Sequence, residues 1–559
     1  MNKINNQRNN QFNLNIQKED INIVRQDFKL SLRKNKLDKI LMKKRNFNNK
    51  NNEIYIDYEY ICKYLPEILI NEFDNYDDKL EVINNFLKGD FSCLKGLNYS
   101  IDNVIYFCLS KLEDISFDLN IEELSSKYKE YIESISYSLI DYIMKTIDLK
   151  IIYSATMILI NFISDKENLI RNIILKDERF IKKLSEIYYM ENRLINNNII
   201  WLIKNLINTS KIYDEITKMI NYNNILFDYF EYNANNINNI ELVYDDINVN
   251  CDIIRKLLKI DKKNFPEKLS FIYPSLIKIF QNITSLIINK TYTHTFFSVI
   301  ELLDTILYNI GEIIPLTTEK STYLNLFLSE SFTVTLCNLI KKIIPYVING
   351  DITFLFLKQL IFIPGSLFTC TLSEHFELYK KQGFISILEE IMNISNKPLS
   401  LVNKIEFVIS NYVIDYIDNS IEVTLNSNIL ILISDYLNNE IKDNNLNYEA
   451  CEESFYCFYN CFAFGDRKVK KEIIKLYKNI SIYSINEIYE DNNLFINQVE
   501  FIVEMVNFLR ISMTNLNELE NLIKEIKEKG LIDIINKVES NYKNEKDLLI
   551  LDKFKKIFK

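Results

Sequence analysis

Glycine and proline are scarce in this sequence, with 8 and 7 among 559 residues. A β-rich fold needs them to turn the chain and a multidomain chain needs them in linkers, so neither class is expected. Histidine is rarer still, with only His294 and His375, which leaves little material for imidazole catalysis or a His-rich metal site. There is a single tryptophan, Trp201. The nine cysteines, at 62, 93, 108, 251, 337, 370, 451, 457 and 461, form no CxxC pair. They read as reduced, mostly buried thiols. Cys457 and Cys461 share a helix face without a third or fourth ligand, so neither metal nor cofactor is expected. Phosphate-loop, zinc-protease and nucleophile-elbow motifs are missing, and the chain is not expected to be an enzyme. The first residues hold no apolar signal core. The most apolar stretch, Ile352–Phe368, is interrupted by Lys358, Gln359 and Pro364, so no membrane span is expected.

What is present is helical material. Hydrophobic residues make up 48% and charged residues 25%, a globular balance, and from about Tyr55 apolar-periodic segments follow one another to the end. The breaks between them fall at Asn-rich clusters such as 221–224 and 233–239. Asn tolerates the left-handed backbone at helix ends, so it can stand where Gly is missing. Pro266, Pro274, Pro345 and Pro398 are expected at or near helix starts.

Charge is unevenly placed. Residues 1–50 hold 13 basic and 4 acidic side chains, a net of +9; the whole chain is −10, so the remainder carries −19. The basic part is centred on Val24–Phe47, which lacks Gly and Pro. Phe28/Leu32 and Leu37/Leu41 give it a narrow apolar face, and Arg25, Lys29, Arg33, Lys34, Lys36, Lys39, Lys43, Lys44 and Arg45 fill most of the rest. Such a helix cannot bury a core of its own and is expected to dock on something acidic. The order Leu32-Arg33-Lys34-Asn35-Lys36, then Leu41, then Lys43-Lys44-Arg45-Asn46, resembles the importin-β-binding segment of the importin-α family. It departs at Leu37 and Lys44.

One theme recurs in the body: a large apolar residue four before an Asn. It occurs as Met157/Asn161, Trp201/Asn205, Phe407/Asn411 and Tyr456/Asn460. The steps from Asn161 to Asn205 and from Asn411 to Asn460 are near the roughly 40–47 residue period of armadillo and HEAT arrays. Residues i and i+4 lie one above the other on a helix, so an Asn amide could hold an extended peptide while an aromatic neighbour packs Lys or Arg stems. These stretches are similar to the second, third, seventh and eighth repeats of importin-α. Leu519–Ile535, followed by Phe554 and Phe558, is similar to the family's closing helices.

The resemblance implies an all-α, right-handed α-solenoid of about ten armadillo repeats. Its expected divisions are a disordered Asn-rich tail (1–21), an importin-β-binding segment (22–47), a linker and first helix (48–75) and the armadillo domain (76–559). It implies a nuclear import adaptor shuttling between cytoplasm and nucleus. Lys/Arg-rich signal peptides of cargo would bind at Met157, Asn161, Trp201, Asn205, Phe407, Asn411, Glu453, Tyr456 and Asn460. Importin-β would bind Arg25, Lys29, Leu32, Arg33, Lys34, Lys36, Leu41, Lys43, Lys44 and Arg45, and an export receptor the C-terminal repeats. The unbound arm would fold into the groove as a cargo mimic. Thr209 stands where the family has an acid, and Asp252 and Lys256 fall near its fourth Trp/Asn pair, which weakens the central site. The alternative is an armadillo scaffold that keeps the arm and has lost signal binding. Neither membrane nor direct nucleic-acid binding is expected, since a body of −19 repels phosphate.

Overall fold

The computed structural model describes residues 76–90, 101–118, 128–163, 169–190, 192–290, 296–314, 324–369, 373–414, 416–488, 491–512, 516–542 and 544–558. The tail, the basic arm with all its expected importin-β contacts, and the linker to residue 75 lie outside the described residues.

Among the described residues every regular element is helical. In chain order these are α1 (Tyr76–Leu87), α2 (Ile101–Asp118), α3 (Lys129–Lys145), α4 (Leu149–Phe162), α5 (Leu169–Lys176), α6 (Glu178–Tyr188), α7 (Arg193–Leu206), α8 (Ser210–Ile220), α9 (Tyr222–Asn236), α10 (Ile240–Ile260) and α11 (Phe265–Lys268). Then follow α12 (Tyr273–Asn289), α13 (Phe296–Ile313), α14 (Leu324–Phe327), α15 (Glu330–Ile348), α16 (Phe354–Phe368), α17 (Ser373–Lys381), α18 (Phe384–Met392) and α19 (Leu399–Tyr412). The last are α20 (Ile417–Leu425), α21 (Ile429–Lys442), α22 (Tyr448–Phe464), α23 (Arg467–Ile488), α24 (Asn492–Ser512), α25 (Leu516–Glu528), α26 (Leu531–Val538) and α27 (Glu545–Phe558).

The chain divides into two compact units, one of residues up to Tyr232 together with Asp245–Phe265, the other of Asn233–Tyr244 and everything from Pro266. Each is built as two rows of stacked helices. In the first unit α2, α4 and α7 form one row and α1, α3, α6 and α8 the other. In the second, α13, α16, α19, α22 and α24 form one row and α12, α15, α18, α21 and α23 the other. Successive helices of a row pack on one another, and pairs such as α3/α4, α15/α16 and α22/α23 pack across the rows. This is the expected all-α solenoid, in which a repeat buries its apolar face on its neighbours.

Isoleucine fills these seams. On α4 the buried set is Ile151, Ile152, Ser154, Ala155, Thr156, Ile158, Leu159, Ile160 and Phe162. A β-branched residue costs a helix up to about 0.7 kcal/mol against Ala, whereas fully burying an Ile side chain returns roughly 1.5–3 kcal/mol. Packing therefore decides the element. Short polar residues start the helices: Asp148, Asp177, Asn192 and Asn447 each accept a bond from a backbone N–H of the first turn.

The helix ends bear out the expectation for asparagine. Asn221 adopts φ 48° and closes α8, and Asn396 and Asn444 take the same left-handed backbone at 54° and 55°. Pro266, Pro274 and Pro398 stand at helix starts. Pro345 does not: it lies inside α15, three residues from its end. A proline there removes the bond to the carbonyl of Lys341, and Lys341 is exposed, where solvent can serve instead. Pro364 likewise lies inside α16. Two helical stretches, Ser270–Asn289 and Glu330–Ile348, are long and apolar enough by length and composition to cross a membrane, and half or slightly more of each is buried against other helices. Among the described residues the cysteines at 108, 251, 337, 451, 457 and 461 are buried and free. Burial holds the thiols of Cys251, Cys337 and Cys451 up at about 12.

Candidate functional site

Three of the four Asn residues of the recurring theme, Asn161, Asn411 and Asn460, sit where successive helices of a row meet. Asn161 Nδ2 donates to Ser116 Oγ at 2.9 Å, from α4 back to α2. Asn411 Nδ2 donates to the Gly365 carbonyl at 3.2 Å, from α19 to α16, and Asn460 Nδ2 to the Ser410 carbonyl at 2.9 Å, from α22 to α19. Asn198, not singled out in the sequence, does the same from α7 to α4, reaching the Tyr153 carbonyl at 3.3 Å. The bonds span 45, 46, 50 and 45 residues, so they measure the repeat directly. The Asn side chains hold repeat to repeat.

This changes what can be offered to a peptide. Phe407 and Asn411 are each 1% exposed, and Glu453 and Asn460 are buried. An expected slot aromatic, Phe407, instead lies against Gly365: a Cβ built there would meet its ring at 2.8 Å and Val408 at 2.9 Å. Glycine is required at this point for α16 and α19 to approach. Met157, Asn161, Trp201 and Asn205 are half-buried, and α4 and α7 pack together, so these two pairs share an edge of the first unit. Thr209 accepts from the Ile212 N–H as the cap of α8, a local structural role.

In the second unit, α22 presents one half-exposed stripe at helical spacing: Glu452, Tyr456, Tyr459 and Ala463. Beside it α24 presents Asn497, Glu500, Glu504 and Phe508. Aromatic packing fixes the pair of helices. Phe455 stacks on Tyr459 at 5.4 Å, and Phe501 of α24 meets Tyr459 edge-on at 5.2 Å. Burial raises the Tyr459 hydroxyl above its ordinary range, and the Glu504 and Glu500 carboxylates beside it add to the shift. Glu504 is itself raised, by burial first and by Glu500 second, with Lys470 opposing. The face is therefore aromatic and anionic, a lining on which a Lys or Arg side chain can lay its stem and leave its charge by a carboxylate. Tyr456 was expected here from the sequence. Tyr459, Glu500 and Glu504 were not, although the i, i+4 spacing of the two Glu residues was visible.

No family model and no curated protein matches the sequence. Solved structures do match in fold. One, described as concerning a phosphorylation switch that controls the interaction between cadherin and β-catenin, aligns over 90% of this chain and 96% of its own, with TM-score 0.50 and 10% identity. The structure of SYS-1 aligns over 90% and 84% with TM-score 0.53 and 12% identity, and that of the SYS-1/POP-1 complex over 90% and 87% with TM-score 0.53 and 13% identity. These are armadillo-repeat α-solenoids. The likeness establishes the fold of this chain as theirs.

Proposed function

We propose that this protein is an armadillo-type interaction scaffold that holds an extended Lys/Arg-bearing segment of a partner along the Tyr456/Tyr459 face of its second unit. The observation that carries the reading is the placement of Glu500 and Glu504 beside Tyr459, two carboxylates flanking a half-exposed aromatic stripe. The solved relatives in fold include a complex with a protein partner, SYS-1 with POP-1, which agrees with a scaffold.

The finer reading is an import adaptor. It is favoured by the order of residues in the arm, Leu32-Arg33-Lys34 to Lys43-Lys44-Arg45-Asn46, which resembles an importin-β-binding segment. On this reading the Lys/Arg segment is a nuclear-localisation signal, the arm engages importin-β, and the protein shuttles between cytoplasm and nucleus.

Titration of the full chain with a fluorescent Lys-rich signal peptide, against its alanine-substituted control, tests both. Binding lost in Glu500→Gln/Glu504→Gln establishes the face. Retention of the chain by immobilised importin-β, lost in Arg33→Ala/Lys34→Ala, establishes the adaptor. Peptide binding no stronger than the control overturns the first reading. Peptide binding without importin-β retention leaves the scaffold and overturns the adaptor.

A further inference from the structure

The Trp201 edge of the first unit has charge of the opposite sign. Lys204 Nζ stands 5.0 Å from the Trp201 ring centroid, where a cationic guest would otherwise sit. Lys204 is only 7% exposed. Asp252 of α10 lies 4.0 Å from it and also meets Arg255 Nη1 at 3.6 Å. Lys256 is half-buried, one turn beyond Asp252 on the same helix, and has no carboxylate partner among the described residues. It faces Lys204 and Arg171 instead, and burial together with those two cations holds its ammonium down at about 7. Arg171, from α5, is fixed by a 3.3 Å bond from its Nε to the Asn205 carbonyl. Three helices thus bring Arg171, Lys204, Arg255 and Lys256 around Trp201 and Asn205, with Asp252 among them.

We propose that this edge docks an acidic segment of a partner protein in extended conformation. Its Asp or Glu carboxylates would meet Lys256 and Lys204, and its backbone would lie along the Asn205 amide, which can both donate and accept. A bound carboxylate relieves the repulsion among the cations and the cost of burying Lys256 charged. A Lys/Arg peptide meets the same repulsion and is rejected. The occupant is a peptide and not nucleic acid because the cations form one small cluster on a chain of net charge −10, too few to offset a duplex that carries a charge every ~1.7 Å. An extended peptide can instead place one carboxylate per two residues, ~6.6–6.8 Å apart, on the side that faces the helices. This site is separate from the Tyr459 face, and its charge preference is the reverse.

The test uses the full chain and a fluorescein-labelled peptide of alternating Glu and Ser, with Gly/Ser and Lys/Ser peptides and a single-stranded oligonucleotide as controls. The expected result is saturable binding of the Glu/Ser peptide, weakened about tenfold by Lys256→Ala and unchanged by Glu500→Gln/Glu504→Gln. Lys256→Glu, checked for retained helicity and melting temperature by circular dichroism, should abolish it. Binding no tighter than that of the Gly/Ser peptide, or indifferent to both Lys256 variants, overturns the proposal. Preference for the oligonucleotide, lost in the same variants, overturns it in favour of a phosphate-binding surface.

Discussion

Gly365 and Phe407 occupy the same space that two ordinary side chains would contest: the ring sits where a Cβ on residue 365 would be, at 2.8 Å. Both residues are in the row helices of the second unit, and the buried ring stacks on Phe362 at 5.7 Å in the same seam. Gly365→Ala must push the ring or separate α16 from α19. A loss of about 1–3 kcal/mol, the usual cost of overpacking, is expected in denaturant unfolding. A neutral result would mean that the seam is loose.

The Asn bonds between repeats should differ in worth according to burial. Asn411→Ala leaves the Gly365 carbonyl unserved in a buried seam, at about 1–3 kcal/mol. Asn161 is half-buried and reaches a hydroxyl that can rotate to another partner, so Asn161→Ala should cost under about 1 kcal/mol. Chemical denaturation of the two variants measures the contrast.

Asp246 gives a pH signature. Its Oδ2 accepts from Arg193 Nη2 at 2.6 Å and its Oδ1 from Asn197 Nδ2 at 2.9 Å. Burial nevertheless outweighs Arg193 and holds the carboxyl up at about 6. Between pH 4 and 6 the folded state therefore keeps a proton that the unfolded chain has released, so raising the pH favours unfolding. Relative to Asp246→Asn, the wild type should lose up to about 3 kcal/mol as pH climbs from 4 to 6, and nothing further above 6. Paired urea titrations across that range check it; parallel curves would refute it.

The acidic-peptide edge should also respond to pH. Lys256 is faced by Lys204 from α7 and Arg171 from α5, with Asp252 and Arg255 on its own helix. Binding a carboxylate needs the charged ammonium, which prevails at pH 6 and is mostly lost at pH 8. Affinity for the Glu/Ser peptide should fall as pH rises through about 7. Lys256→Arg, charged throughout, should flatten the profile while still binding.

Much of the fold could be read from the residues because its signals are local. Scarce Gly and Pro, apolar periodicity and Asn at helix ends led to an all-helical array, and Asn221, Asn396 and Asn444 stand in the left-handed backbone as that reading required. The theme of a large residue four before an Asn marked the repeat correctly, since Asn161, Asn411 and Asn460 each reach back to the preceding helix of the row. Local rules failed where distant packing decides. Pro345 and Pro364 sit inside helices that their neighbours hold in place. Spacing along one helix could not show that Phe407 would be claimed by Gly365 on another. Nor could it show that Lys256, 52 residues beyond Lys204, would come to face it. A charge cluster assembled from three helices leaves no motif.

Every one of the Asn bonds points backward by a single repeat and stops there. Nothing in that pattern ties a repeat to one further along, so strain or damage is shared only with the adjacent repeats. Within a row, a helix clamped on both sides, as α19 is by the bonds from Asn411 and Asn460, should exchange its amide hydrogens more slowly than one clamped on a single side. Held at both ends and stretched, either unit would come apart as a zip does, tooth after tooth, and close again the same way.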